Sequence, residues 1–185
     1  MKKFKVNINN EVFEYEENTS YFDIVTEHKK RALLVKVDGK LQELHKTLKS
    51  DIKLEFVTLS DAIGRSTYER SAVLILLKSI KDIYGENIKP IVEFSTGNGL
   101  FIRMNGESEF DIDKIDGRMR EIVDENIRIE KMSVHTDTAI KMFHDAGFFE
   151  KEKLFKFRRV SRVNIYKLED YIDYNYGYIV YSTGF

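Results

Sequence analysis

The sequence predicts an α+β protein of two domains, with a central buried helix in the second domain. The first part of the chain alternates apolar and polar residues at the period of a strand and contains one short helical pattern. Residues 66–85 are instead apolar on most of a helical circumference, so other elements must cover them. The 185 residues, 42% hydrophobic and 33% charged, suffice for one large or two small domains with a real core.

The first domain, residues 1–60, is predicted to hold five strands and one helix. Phe4, Val6 and Ile8 alternate with polar residues, which is the period of a half-buried strand. A hairpin turn can follow at residues 9–10, because both are Asn, which tolerates a positive φ. The other apolar positions are Val12, Phe13 and Tyr15 in the second strand, Phe22, Ile24 and Val25 in a helix capped by Thr19 or Ser20, and residues 33–37, 41–44 and 52–57 in the last three strands. This order of strands and helix predicts a β-grasp (ubiquitin-like) domain.

The second domain, residues 61–185, is predicted to open with the buried helix. A polar hinge around Gly64 marks the boundary between the domains. Ser66 and Glu69 have the spacing of a capping box, which predicts that the helix begins at Thr67.

Two more helices and several strands are predicted after this first helix. Gly85 can end the first helix, because glycine adopts a left-handed conformation without a Cβ clash. The later elements are a hairpin of residues 91–94 and 100–104 around a turn at 96–99, a helix with Ile112, Ile115, Met119, Ile122 and Val123 on one face and Asp111 or Asp113 as its cap, a strand at 127–134, a helix from the cap Thr136 through Ala139, Ile140 and Phe143 to Gly147, and strands at 154–157 and 163–168. We expect the domain to be cut short at its C-terminal end, because the chain stops at Phe185 without a polar tail.

Composition argues against several classes of function. The formal net charge of -1 gives no bulk attraction to nucleic acid or membranes, and no apolar run approaches the roughly 20 residues of a membrane span. The absence of cysteine removes disulfides and thiolate chemistry and fits a cytoplasmic location. No phosphate-binding loop is present and the four histidines are not clustered, so neither a metal site nor a cofactor is predicted for this chain.

A basic stretch at residues 151–167 is the strongest candidate for binding a ligand. It contains Lys151, Lys153, Lys156, Arg158, Arg159, Arg162 and Lys167, with one acidic residue, Glu152. Phe155, Phe157 and Tyr166 are interleaved with these cations, and basic residues that alternate with aromatic ones on strands can follow a phosphate backbone. We therefore assign nucleic-acid or nucleotide-phosphate contacts to Lys156, Arg158, Arg159 and Arg162. The alternative is a hairpin whose charged outer face balances the acidic stretch before it.

The first domain resembles the TGS domain, a β-grasp module named after threonyl-tRNA synthetase, GTPases and SpoT. Residues 35–41, Leu44 and residues 52–58 carry this resemblance. It implies that residues 1–60 fold as a TGS domain.

The second domain resembles the second N-terminal, editing-type domain of bacterial threonyl-tRNA synthetase. Residues 68–74, 139–143 and 173–184 carry this resemblance, and they occur in the same order in both proteins. It implies an α+β fold of that type for residues 61–185.

The editing residues of that family are replaced in this chain. In the synthetase the first segment carries a pair of histidines and the last carries a Cys and a His, and these line the site that hydrolyses mischarged serine. The matching positions here are Arg70, Leu74, Asn175 and Ile179, so the resemblance implies the fold without the deacylation chemistry. No catalytic residue is assigned. A residual pocket is predicted from Arg70, Ser71, Leu74, Arg103, Asn175, Ile179 and Thr183, in which Arg suits phosphate recognition.

The C-terminal residues are also similar to bacterial nucleoside (uridine) kinases of the long type, in which TGS and editing-like domains precede a phosphate-loop kinase domain. Residues 166–168, 170–174, 176–178 and 182–184 carry this resemblance. It implies a non-catalytic accessory module of an ATP-dependent uridine kinase, with a nucleotide or RNA as ligand. A kinase domain that follows in the same chain, with ATP and Mg, would then supply the activity. The alternatives are an RNA- or tRNA-binding module related to threonyl-tRNA synthetase and a residual aminoacyl-tRNA deacylase.

Overall fold

The computed structural model describes residues 2–97, 99–104 and 109–185, which form two compact units. Unit 1 consists of residues 2–73, Glu125–Ile129 and Gly177–Phe185. Unit 2 consists of the described residues of Leu74–Asp124 and Glu130–Tyr176. The proposed domain boundary between residues 60 and 61 stays a prediction. No helix in the described parts of the chain is both long and apolar enough to cross a membrane.

Unit 1 contains a five-stranded sheet and a short helix. The elements are β1 (Lys3–Ile8), β2 (Glu11–Glu16), α1 (Tyr21–Glu27), β3 (Leu34–Val37), β4 (Lys40–Gln42) and β5 (Ile52–Val57). The strand order is β2-β1-β5-β3-β4, with β1 parallel to β5 and the other neighbours antiparallel. This is the β-grasp arrangement, and the predicted fold of the first domain is confirmed.

Local sequence signals explain the start of this sheet. Asn9 and Asn10 both have a positive φ in the turn between β1 and β2, as predicted. Ser20 is the cap of α1, because its hydroxyl oxygen accepts a hydrogen bond from the Asp23 N–H at 3.1 Å. The buried faces of β1, β5 and α1 then share one apolar core. Its members include Phe4, Val6, Ile8, Ile24, Val25, Leu48, Ile52 and Leu54.

Helix α2 (Ala62–Tyr84) begins earlier than predicted, so the prediction of a capping box at Ser66 is wrong. Asp61 directly precedes the helix. Its carbonyl accepts from the Arg65 N–H at 3.0 Å, and its carboxylate accepts from the Thr58 N–H at 2.8 Å. Gly64 lies inside α2 and not in a hinge.

The later part of α2 is the predicted buried helix. Its buried apolar residues are Leu74, Ile75, Leu77 and Ile80. The helix ends before Gly85, whose φ of 77° agrees with the predicted left-handed end.

Unit 2 contains a hairpin, a three-stranded sheet and further helices. After the second half of α2 come β6 (Ile91–Thr96), β7 (Gly99–Arg103), α3 (Ile112–Asp124), β8 (Glu130–His135), α4 (Thr136–Asp145), α5 (Phe149–Lys156), β9 (Arg162–Leu168) and β10 (Tyr171–Tyr174). β6 and β7 form the predicted hairpin, although Asn98 of its turn lies outside the described residues. β9 is the central strand of the antiparallel sheet β10-β9-β8. The α+β class predicted for the second domain is confirmed.

Two details of unit 2 differ from the sequence prediction. Residues 154–157 are not a strand, because Leu154 lies in α5 and Phe157 is its C-cap. Thr136 is not the cap of α4 but its first residue, with His135 at the cap position. The Thr136 hydroxyl donates instead to the Val160 carbonyl.

Of the two cap candidates for α3, Asp111 is the one used, since its carboxylate accepts from the Lys114 N–H at 3.1 Å.

Candidate functional site

Ser71, one of the predicted pocket residues in unit 1, has both hydrogen-bonding functions of its hydroxyl in use. The side chain is 3% exposed and lies on α2. Its Oγ donates to the Thr67 carbonyl at 2.7 Å and accepts from the Val180 N–H at 3.0 Å. Ser71 therefore ties the C-terminal segment, residues 177–185, to α2, and its hydroxyl bonds to two backbone groups rather than to a side chain that could activate it as a nucleophile.

Arg70 lies on the same turn of α2 and holds the same segment. Its Nε donates to the Tyr178 carbonyl at 3.0 Å, and one of its terminal nitrogens donates to the Thr67 hydroxyl at 3.3 Å. The guanidinium occupies the space beside Gly177, where a Cβ atom would lie 2.5 Å from the Arg70 Cζ. Arg70 therefore holds the backbone of the C-terminal segment. The matching position in the editing-type domain carries a histidine of the editing site.

Thr183 and Ile179 also belong to unit 1 and are buried. The Thr183 N–H donates to the Ile127 carbonyl at 2.9 Å, and its Oγ accepts from the Ile127 N–H at 2.8 Å. Thr183 thus anchors the C-terminal segment through these two bonds, and Ile179 does so through its buried side chain. Ile179 has no group that could act as an acid or base.

The other three predicted pocket residues belong to unit 2. Leu74 is fully buried in α2. Arg103 ends β7, is exposed and forms an ion pair with Glu93 on β6. Asn175 is half-buried just after β10. The predicted pocket residues are therefore distributed over both units, and the four in unit 1 act together as an anchor for residues 177–185.

The basic stretch does not form an alternating strand. It runs along α5, through residues 157–161 and into β9. Arg158 stacks on Tyr174, with its guanidinium carbon 4.6 Å from the ring centroid, and it lies 5.7 Å from the Phe155 centroid. Arg162 donates to the Ser133 hydroxyl at 3.2 Å and to the Ser133 carbonyl. These two arginines join elements of unit 2.

Lys156 and Arg159, the other two assigned cations, point into solvent. Lys156 pairs with Glu152 one helical turn earlier, an exposed contact of small energy. Arg159 is exposed, and so is Lys153 on α5. Neither the Arg159 side chain nor the Lys153 side chain has an ion pair or hydrogen bond to the described residues. Lys153, Lys156 and Arg159 are therefore the exposed cations of the basic stretch that are not bonded to another strand or helix.

Sequence reasoning counted Lys151 with the basic surface, but the structure gives it a partner. Its ammonium forms an ion pair with Asp173 on β10, and it lies 4.8 Å from the centroid of the Phe148 ring. The Asp173 side chain is buried. No sequence signal linked these residues, because 22 positions separate them.

Exposed apolar side chains surround the accessible cations and were also missed. Phe157 is 87% exposed, whereas Phe155 two residues earlier is 1% exposed. Leu154 and Val160 are exposed as well. Assigning these residues to a strand concealed the difference, because it placed Phe155 and Phe157 on the same face.

A network of ion pairs surrounds Lys78 in unit 2. Lys78 is 4% exposed, and its ammonium lies 3.1 Å from a Glu169 oxygen and 3.0 Å from an Asp170 oxygen, while it also contacts Asp82. Burial alone would lower the pKa of Lys78, but the hydrogen bonds to Asp82, Asp170 and Glu169 raise it above its usual value. Each of these ionised groups has a partner of opposite charge, so the network has a structural role in holding the β9–β10 turn on α2.

Chemical groups for catalysis or metal binding are sparse. Among the described residues, no group of three His, Cys, Asp or Glu side chains is arranged to hold a metal ion. The positions that match the editing residues carry a guanidinium already bonded to backbone, two buried aliphatic chains and an amide. What the arrangement can do chemically is bind an anionic partner at Lys153, Lys156 and Arg159.

Comparison with known proteins shows similarity to threonine–tRNA ligases. No protein-family model matches the chain. The chain is 33% identical over 159 residues to the threonine–tRNA ligase of Clostridium kluyveri, which covers 84% of this chain and 25% of that protein. It is 31% identical over 160 residues to the ligase of Thermotoga petrophila, with the same coverage. It is 30% identical over 181 residues to that of Clostridium tetani, covering 94% of this chain and 28% of that protein.

These similarities bear on the resemblances seen in the sequence. They support the threonyl-tRNA synthetase resemblance over most of the chain, and they give the uridine kinase interpretation no support. The chain spans about a quarter of the length of the curated relatives that it matches. It is homologous to the N-terminal region of threonyl-tRNA synthetases.

Proposed function

We propose that this chain is an RNA-binding module whose ligand is a tRNA. The observation that carries the proposal is the similarity to threonine–tRNA ligases, which extends over 84% of the chain. By their name, these enzymes act on tRNA. This interpretation was the alternative at the level of sequence, and the comparisons favour it over the nucleoside kinase module. A cytoplasmic location is part of the proposal.

The charge distribution supports an RNA ligand. The net charge of -1 gives no general attraction to RNA, so binding must depend on a local positive surface. Lys153, Lys156 and Arg159 supply one, since all three side chains are exposed on α5 and just beyond it. Cations of this kind contact phosphates without regard to sequence and make the affinity depend on salt.

The module binds without hydrolysing an aminoacyl ester. Such hydrolysis needs a base or a metal to activate water. Arg70 is tied to the Tyr178 carbonyl, and Leu74 and Ile179 are buried aliphatic residues. We therefore expect no deacylation, and the residual deacylase is the weaker alternative.

The kinase interpretation stays a prediction. It comprises a kinase domain in the same chain, with ATP and Mg, and a nucleotide ligand for the residues described here. The similarity to threonine–tRNA ligases does not bear on them.

Equilibrium binding of a fluorescently labelled tRNA transcript tests the proposal. The chain should bind it, and the Lys153→Ala/Arg159→Ala variant should bind more weakly. Lys114→Ala/Arg120→Ala is the matched control, because it removes one Lys and one Arg from the exposed face of α3. Equal loss in both variants, or no binding by the unaltered chain, would overturn the proposal.

A deacylation assay on serine- and threonine-charged tRNA completes the test. The charged tRNA should decay at its spontaneous rate in the presence of the chain. Hydrolysis well above that rate would return the function to the deacylase class.

A further inference from the structure

We infer that Phe157 is a stacking surface for an unpaired base of the bound RNA. The inference rests on the proposed RNA-binding function, and it adds which part of the surface meets the RNA and what kind of nucleotide is recognised there. It starts from the exposure of this residue. Phe157 is the C-cap of α5 and is 87% exposed.

The exposure of Phe157 is imposed by the local backbone. Phe155 points into the core of unit 2, where its ring stacks on Phe143 with centroids 5.3 Å apart. Arg158 is held over Tyr174, and its N–H donates to the Phe155 carbonyl at 3.1 Å. With the residues on both sides of it held in this way, Phe157 is presented to solvent on a fixed support. Because the backbone around Phe157 is already held in place, less conformational entropy would be lost when a base binds to its ring.

The cations near Phe157 are placed for the phosphates beside a stacked base. Lys153 lies in the last turn of α5, four residues before the C-cap Phe157, and residues four apart are neighbours on a helix surface. Arg159 follows two residues later and is exposed. An aromatic ring with exposed cations close to it in the chain is the combination used by surfaces that bind single-stranded nucleic acid.

Local charge favours RNA over a protein partner. Residues 149–162 contain six Lys or Arg residues and two carboxylates, Glu150 and Glu152, and a third carboxylate, Asp173 on β10, pairs with Lys151. Leu154 and Val160 extend the apolar area, which by itself would suit any apolar partner. The excess of positive charge selects a polyanion. In a duplex the faces of the bases are stacked on each other, so the ring can receive only an unpaired base.

The chain offers a direct spectroscopic test, because it has no tryptophan. Phe157→Trp therefore introduces a single tryptophan at the proposed contact, and its emission can be excited separately from that of the ten tyrosines. Tyr176→Trp is the matched control, since Tyr176 is also an aromatic residue of unit 2 and is 91% exposed. Addition of a short oligouridylate should quench the fluorescence of Phe157→Trp, as expected for base stacking, and leave that of Tyr176→Trp unchanged.

An affinity series separates stacking from simple apolar contact. Phe157→Leu keeps an apolar side chain but removes the aromatic ring, and Phe157→Tyr keeps the ring. For the same oligouridylate, Phe157→Leu should bind about five- to one-hundred-fold more weakly, and Phe157→Tyr should bind like the unaltered chain. Circular dichroism of both variants checks that the fold is retained, which an 87% exposed position should allow.

The outcomes distinguish this inference from the proposed function. Binding of tRNA with no quenching in Phe157→Trp, or with Phe157→Leu as tight as the unaltered chain, overturns the stacking role and leaves the RNA-binding function standing. If the chain binds neither tRNA nor the oligouridylate, both the RNA-binding function and the stacking role are overturned.

Discussion

At the scale of single residues, Arg70 shows how a position of an editing site can serve the backbone instead. Its Nε bonds to the Tyr178 carbonyl, and its guanidinium fills the space over Gly177. The arrangement requires glycine at 177, because any side chain there would meet the Arg70 Cζ. Sequence comparison could identify the missing histidines and the residues in their places, but only the structure shows that Arg70 bonds to the backbone there.

Gly177→Ala tests this arrangement. Arg70 is flexible and can swing away from the new methyl group, but it then loses its bond to the Tyr178 carbonyl. We expect the free energy of unfolding in urea to fall by about 1 kcal/mol. In an Arg70→Ala background the same substitution should cost almost nothing. An equal cost in both backgrounds would contradict the proposed contact.

At the scale of elements, the start of α2 depends on a close approach between backbones. A Cβ atom on Gly64 would lie 1.9 Å from the Thr58 carbonyl oxygen, which cannot move aside as a side chain could. The sequence suggested a hinge here, because glycine and polar residues are typical of loops as well. The same residues instead let α2 pack directly against the end of β5.

The same substitution in two helices tests that packing. Gly64→Ala should lower the free energy of unfolding by roughly 1–3 kcal/mol or more, as overpacking does. Gly117→Ala in α3 should raise it by about 0.5–1 kcal/mol, because open space surrounds that position and alanine favours a helix. Chemical denaturation of both variants gives the comparison. A tolerated Gly64→Ala would contradict the described start of α2.

The β9–β10 turn gives an element-scale prediction about pH. Burial alone would raise the pKa of Asp170, but hydrogen bonds from Lys81 and Lys78 lower it to about 2. A carboxyl whose pKa is lowered by folding contributes stability above its unfolded pKa and loses it as the pH falls through the folded value. The contribution should therefore disappear between about pH 5 and 2.

Asp170→Asn should flatten this pH dependence. The variant should be less stable than the unaltered chain near pH 6, and the difference should shrink as the pH approaches 2. Urea unfolding across this range measures it, with Asp116→Asn on α3 as a control for removing a surface carboxylate. A difference in stability that stays constant with pH would contradict the assigned ion pairs.

At the scale of the whole molecule, unit 1 is assembled from three separate parts of the chain. Tyr181 from the C-terminal segment stacks on Phe22 of α1 with ring centroids 4.3 Å apart. Residues 125–129 join through the bonds between Ile127 and Thr183. Local patterns predicted the β-grasp strands, because alternation reports on one segment at a time. They could not show that residues 177–185 pack with unit 1, since this depends on contacts between distant segments.

The candidate site was predictable to a similar extent. The excess of cations at residues 151–167 is a property of composition, so the sequence contains it. Which cations bond to other elements is not, because Arg158 is held by Tyr174 and Arg162 by Ser133. The strand predicted at residues 154–157 was wrong because four residues fit both the period of a strand and that of a helix.

The most direct test of tRNA binding is the affinity for a tRNA transcript measured over a range of KCl concentrations. We predict that the logarithm of the association constant falls linearly with the logarithm of the salt concentration. Lys153→Ala and Arg159→Ala should each reduce the slope by about 1, and Lys114→Ala should leave it unchanged. Binding that is absent, or whose salt dependence is the same in all of these variants, would contradict the assignment of this surface to tRNA.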